Sequence, residues 1–187
     1  MANLVMMNWG NYTNANAVSN VLKYILRVRK NETRKEELIS FGGMGVTLYA
    51  GPDEIIQEFL YVQKLFRIDV RKGRRIYHEV MCLTNEEVAA LQSDIRVIHQ
   101  LAQDCCCVYY QSGYQVVFAI HWDKDRRFHI HFVVNTICFY DRRKWHTSME
   151  ERAKREQCFN AVLQEHQRVI MLHRMAEKPK EAVTFFE

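Results

Sequence analysis

Along the chain the apolar positions change period several times, and each change predicts an element. The run "LVMMNW" at 4–9 predicts a short first strand. The polar "GNYTNAN" that follows offers several N-caps to a helix from about Asn14 to Arg29, with Val18, Val21, Leu22, Ile25 and Val28 as its apolar stripe. Gly51 and Pro52 open a second helix that turns Ile55, Ile56, Phe59, Leu60 and Phe66 inward, and "RRIYHEVMCLT" reads as a strand. Thr84 and Glu87 have the spacing of a capping box, ahead of Val88, Leu91, Ile95 and Ile98 at helical spacing. Two strands, "YQVVFAIHW" and "RFHIHFVVNTICF", flank a short polar turn. Ser148 with Glu151 opens a long final helix reaching about Met175. The expectation is α+β: one domain over residues 1–187, a two-layer sandwich whose central antiparallel sheet of about five strands is covered by helices.

Composition adds bounds. A chain of 187 residues, 48% hydrophobic and 26% charged, suits one globular core. No run approaches the roughly 18 apolar residues of a membrane span, and the start "MANLVMMNWGN" lacks the basic and apolar regions of a secretory leader, so a cytosolic protein is expected. The six cysteines include Cys105, Cys106 and Cys107 in a row and no CxxC pair, which reads as reduced and structural. The net charge is only +4, but basic residues cluster in "RKGRR" at 71–75, "DKDRR" at 123–127 and "DRRKW" at 141–145. Such clusters suit an anionic partner, although charge runs at turns are commonly solvated loops.

The segment "HWDKDRRFHIHFVVN" carries the chemistry. With strand period two, His129, His131, Val133 and Asn135 share one face while Phe128, Ile130, Phe132 and Val134 share the other. If the polar stretch between is a hairpin turn, His121 lies across from His129 on the same face. Three converging imidazoles with open positions describe a catalytic metal site better than a closed structural one. They suit Mn, Co, Ni or Zn better than the oxygen-seeking Mg, with Mn taken first. Satisfied core histidines are the bland alternative.

The pattern His121-x-Asp123, then His129-x-His131 among apolar residues, then Asn135, resembles the third motif of the HUH endonuclease superfamily, most closely in the MobP-type relaxases of mobilisable elements. "VLKYILRVRKNET" resembles the first relaxase motif and assigns the nucleophile to Tyr24, which lies on the edge of its helix's apolar stripe; "YHEVMCLTNEE" resembles a strand between the two motifs. A tyrosine upstream of the histidine pair fits relaxases rather than replication initiators or single-strand transposases. The resemblance implies a bacterial, cytoplasmic, metal-dependent nickase that forms a 5′-phosphotyrosyl link and reseals it. The partners it implies are single-stranded DNA at an origin of transfer, relaxosome accessory proteins and a type IV secretion coupling protein. Relaxases are usually longer, so it implies an excised catalytic domain or a compact member.

His121, His129 and His131 are then the metal ligands, and Tyr24, Asp123 and His78 the catalytic set. Asp123 can orient a ligand histidine or simply cap the turn; of His78 and Glu79 only one can face the site, and the motif resemblance prefers His78. Asn135 continues the histidine face. DNA contacts are expected from Arg74, Arg75, Arg126, Arg127, Arg142, Arg143 and Lys144, with Tyr140 and Trp145 for base stacking. Tyr12, Tyr77 and Tyr140 compete with Tyr24. A DNA-binding module that does not nick, and a small phosphate-ester hydrolase, remain the alternative functions.

Overall fold

A computed structural model of the chain describes residues 2–7, 12–66, 73–123 and 127–177. Strands β1 (Asn3–Met6), β2 (Leu38–Met44), β3 (Ile76–Leu83), β4 (Val116–Trp122) and β5 (Phe128–Asn135) form one antiparallel sheet in the order β1-β3-β5-β4-β2. Helices are α1 (Ala17–Ile25), α2 (Pro52–Leu65), α3 (Asn85–Ala90), α4 (Ile95–Tyr110) and α5 (Met149–Glu177). The expected α+β fold with five antiparallel strands is therefore present.

Helices stand on both faces of the sheet, which adds a layer to the expected two. The alternation along β4 and β5 explains this, because both faces of the central strands are apolar enough to need cover. Phe118, Ile120, Ile130, Phe132 and Val134 pack with Ile98, Leu101, Cys105 and Tyr109 of α4 and Phe159 of α5. On the other face Val117, Ala119 and Val133 meet Val18, Leu22 and Ile25 of α1 and Ile55, Ile56 and Phe59 of α2.

Three boundaries and one whole strand differ from the pattern-based expectation. The first strand is Asn3–Met6; Asn8 and Trp9, at the end of the predicted run, lie outside the described residues. α1 is shorter than 14–29 because Arg27 turns left-handed, at φ 53°, just past its end. The capping box forms, with Thr84 accepting from the Glu87 amide, but the helix it starts stops at Ala90. Gln92 and Ser93 adopt φ 59° and 53°, and Asp94 caps a new helix by accepting from the Arg96 amide. β2 is absent from the sequence-based expectation. Its "FGG" looks like a turn, yet at Gly42 and Gly43 a Cβ would come within 2.5 Å of the Phe118 ring and the Val116 carbonyl oxygen, so these glycines serve close strand packing.

All six cysteines are free thiols, and burial raises those of Cys105 and Cys106. Among the described residues no helix is long and apolar enough to cross a membrane.

Candidate active site

The β4–β5 register sets His121 opposite His129, and His131 falls between Ala119 of β4 and Val80 of β3. His78, opposite Val133, shares that face, and the end of α1 comes down onto it. The His121 and His131 rings lie 4.4 Å apart, and Tyr24 of α1 stands edge-on to His131 at 6.0 Å and to His78 at 6.3 Å. Tyr24, His121, Asp123, His129 and His131 line one cleft of about 380 Å³, together with Arg27, Arg34 and Glu37.

Burial keeps these imidazoles uncharged. Loss of hydration pushes His78 and His121 down to about 4, holds His131 well below the usual histidine range and lowers His129. A neutral imidazole is the form that binds a metal. Two of the three rings are also held as ligands usually are, through the second nitrogen. His131 Nδ1 meets His78 Nε2 at 2.9 Å, His78 Nδ1 meets the Tyr12 hydroxyl at 3.3 Å, and His129 Nδ1 lies 3.5 Å from Asp123. Among the described residues Nε2 of His129 and of His131 has no partner. His131 keeps that Nε2 lone pair when its Nδ1–H donates to His78, which then donates to Tyr12.

His121 is held differently. Its Nε2 donates to the Ile25 carbonyl at 2.6 Å, and its Nδ1 accepts from Arg27 at 3.2 Å. The donor chemistry fits a divalent cation, but the ring of His121 must turn before three nitrogens meet. Among the described residues no three His, Cys, Asp or Glu side chains form a ready-made cluster.

Not every expected residue reaches the cleft. Asp123 stands beside His129 and also closes the turn by accepting from the Arg127 amide. Asn135 is on the right face but about 20 Å along β5 from His129, at ~3.3 Å per residue. Its amide is consumed by Gln63, Gln115 and the Phe59 carbonyl. Glu79 points to the opposite face, as the choice of His78 requires. Arg74, Arg75 and the 141–145 segment lie at that far end of the sheet, where Ile76 pairs with Asn135 and Ile137 bridges Lys144.

Arg75 donates to the Ala15 carbonyl, Arg74 covers the Tyr12 and Tyr77 rings, and Arg143 pairs with Asp141. Arg142 lies over Phe66, and Tyr140 is exposed. Trp145 is packed on the α4 side against Tyr77, Tyr109 and Tyr114. Arg127 borders the cleft through Asp123; Arg126, Arg71 and Lys72 lie outside the described residues.

Of the competing tyrosines, Tyr77 faces Trp145 and Tyr12 spends its hydroxyl on His78. Tyr24 is the tyrosine lining the cleft among the described residues. Pattern reading missed Arg27, Arg34 and Glu37. The signal was the basic run "RVRKNETRK" at 27–35, hidden because it straddles a helix end.

No curated protein matches the chain. Residues 18–174 match the family model described as "Relaxase: MobA/VirD2-like, nuclease domain", a span that includes Tyr24, His78 and the three histidines. With its histidine-bearing antiparallel strands and its tyrosine on the helix above them, the chain belongs to the MobA/VirD2-like relaxases, DNA-nicking proteins that bind single-stranded DNA.

Proposed function

We propose that this domain nicks one strand at an origin of transfer by metal-dependent tyrosine transesterification, in the mobilisation of a conjugative or mobilisable element. The observation that carries the reading is the position of Tyr24, on a helix directly over His131 and in one cleft with His121 and His129. The Tyr24 oxygen attacks phosphorus as its hydroxyl proton leaves to solvent, the bond from phosphorus to the 3′ oxygen breaks, and the departing oxygen takes a proton from solvent to become a 3′-hydroxyl, so protons balance. The 5′ phosphate stays on the tyrosine. One phosphoester replaces another, so the 3′-hydroxyl can attack in reverse and reseal the strand.

His121, His129 and His131 would hold a divalent cation, Mn first, which supplies polarisation of the phosphodiester and neutralises charge in the displacement. His78 and Asp123 act as positioning residues, each holding a ring by its Nδ1. Accessory proteins and a secretion coupling protein belong to this reading as partners of the nicked complex.

The test is to incubate the chain with a random-sequence single-stranded oligonucleotide pool and Mn²⁺, then isolate denaturation-resistant adducts and map them by peptide mass spectrometry. A DNA remnant on the Tyr24 peptide is expected. Tyr24→Phe keeps the ring and removes the attacking oxygen, so adduct should fall to background with little loss of DNA affinity. An adduct on Tyr12 or Tyr140, or a fully active Tyr24→Phe protein, overturns the assignment. DNA binding without any adduct supports the non-nicking module instead.

A further inference from the structure

Arg27 is 4% exposed, yet its guanidinium is only partly used. Nη2 donates to Glu37 at 2.6 Å and to His121 Nδ1 at 3.2 Å, while Nε and Nη1 are buried without an acceptor. Buried N–H donors are almost always satisfied, so two on one cation, at the wall of a cleft, point to an acceptor that arrives from outside. The backbone adds a second observation. Arg27 sits just past the end of α1 at φ 53°, a position where glycine is the unstrained choice. A side chain that tolerates this strain is held there by something the side chain does. The guanidinium also lies 4.9 Å over the Tyr24 ring, and Glu37, 7% exposed, anchors it from behind.

We infer that Arg27 binds the phosphodiester that Tyr24 attacks, its Nε–H and Nη1–H donating to non-bridging oxygens while Glu37 fixes the guanidinium. This rests on the nicking reading above. Arginine suits the role because it stays charged and presents fixed planar donors to phosphate. The charge that accumulates on the phosphoryl oxygens during the displacement is met by donors already in place.

The 187-residue chain, in EDTA, is titrated with sodium phosphate and separately with oligothymidine, with sodium chloride at matched ionic strength as control. The readout is the NMR signal of the Arg27 Nε–H, assigned by its disappearance in Arg27→Lys. Phosphate and oligothymidine should move it and chloride should not. In the adduct assay Arg27→Lys keeps the positive charge beside Glu37 but removes both donors, so the rate should fall about 10²–10³-fold with single-strand affinity little changed.

A signal silent to both ligands, or adduct formation by Arg27→Lys at the full rate, overturns the inference. A response to phosphate but not to oligothymidine overturns it for DNA and leaves a free-phosphate site. Should Arg27→Lys fail to fold, Arg27→Met with Glu37→Gln removes both partners of the pair and must show the same rate loss. The titration reads the seat without any chemistry, so wild-type protein that responds to oligothymidine yet forms no adduct sinks the nicking reading while Arg27 keeps its ligand.

Discussion

Two buried arginine–carboxylate pairs lie on opposite faces of the same sheet, and they are completed to different degrees. On the α4 and α5 side Arg155 gives Nε and Nη2 to the two oxygens of Glu79 and a further bond to Thr147, and its guanidinium rests on Trp145 at 4.7 Å. The Tyr109 hydroxyl donates to the same carboxylate, so the network closes on itself. On the α1 side Arg27 gives one nitrogen to Glu37 and His121 and leaves the other two without partners. Burial and charge are alike in the two pairs. What separates them is satisfaction: the closed pair ties α5 to the sheet, and the open one waits for an anion.

Breaking the closed pair should have the largest effect on stability. Arg155→Met leaves Glu79, which is fully buried, facing no cation, and should cost about 3–5 kcal/mol. That corresponds to a fall in Tm of roughly 6–20 °C for a domain of this size. A thermal melt that barely moves would remove the distinction between scaffold and site.

The histidine face should lose its ligand-binding function with far less loss of stability. His129→Ala with His131→Ala should abolish one bound ion per chain in metal analysis, yet lower unfolding stability by only about 1–2 kcal/mol, since it removes ligands rather than aromatic core. Unchanged metal stoichiometry would sink the three-histidine site.

The smallest effect concerns DNA affinity. Arg29 lies 4.9 Å over the Tyr24 ring and Arg34 lines the cleft, whereas Arg142 and Arg143 stand at the far end of the sheet. With short oligonucleotides, Arg29→Ala plus Arg34→Ala should lower the slope of log affinity against log salt by about 1.4, at ~0.7 per lost contact. Arg142→Ala plus Arg143→Ala should match that only when the strand is long enough to reach them. Equal slopes for both pairs on a short strand would place the DNA away from the cleft.

The period-two pattern made the site's sheet face legible, because parity alone puts His121, His129 and His131 together once the hairpin is assumed. The capping boxes at Thr84 and Ser148 were equally legible, being local chemistry. Long-range decisions were not. Nothing local says that Trp145 turns into the aromatic cluster beneath α4, or that the amide of Asn135 is taken by α2 rather than by the cleft. Arg27 escaped notice because its neighbour Glu37 is ten residues on and its conformation breaks the helix that pattern reading would have continued. The strand "LISFGGM" was lost because glycine, which usually punctuates, here makes room for Phe118.

The short length of α1 has a dynamic consequence. Nine residues fall below the roughly 12–15 that a helix needs to persist alone, so α1 is held by Ala17, Val18, Leu22 and Ile25 against its neighbours and by the Lys23–Asp53 ion pair with α2. The histidines, by contrast, are borne by the paired central strands. Tyr24 and the histidines therefore belong to segments of unequal local stability, and the α1 amides should exchange with solvent by local opening while those of β5 wait for global unfolding. Opening of α1 would also part the Ile25 carbonyl from the His121 ring, while the strands that carry the histidines stay paired.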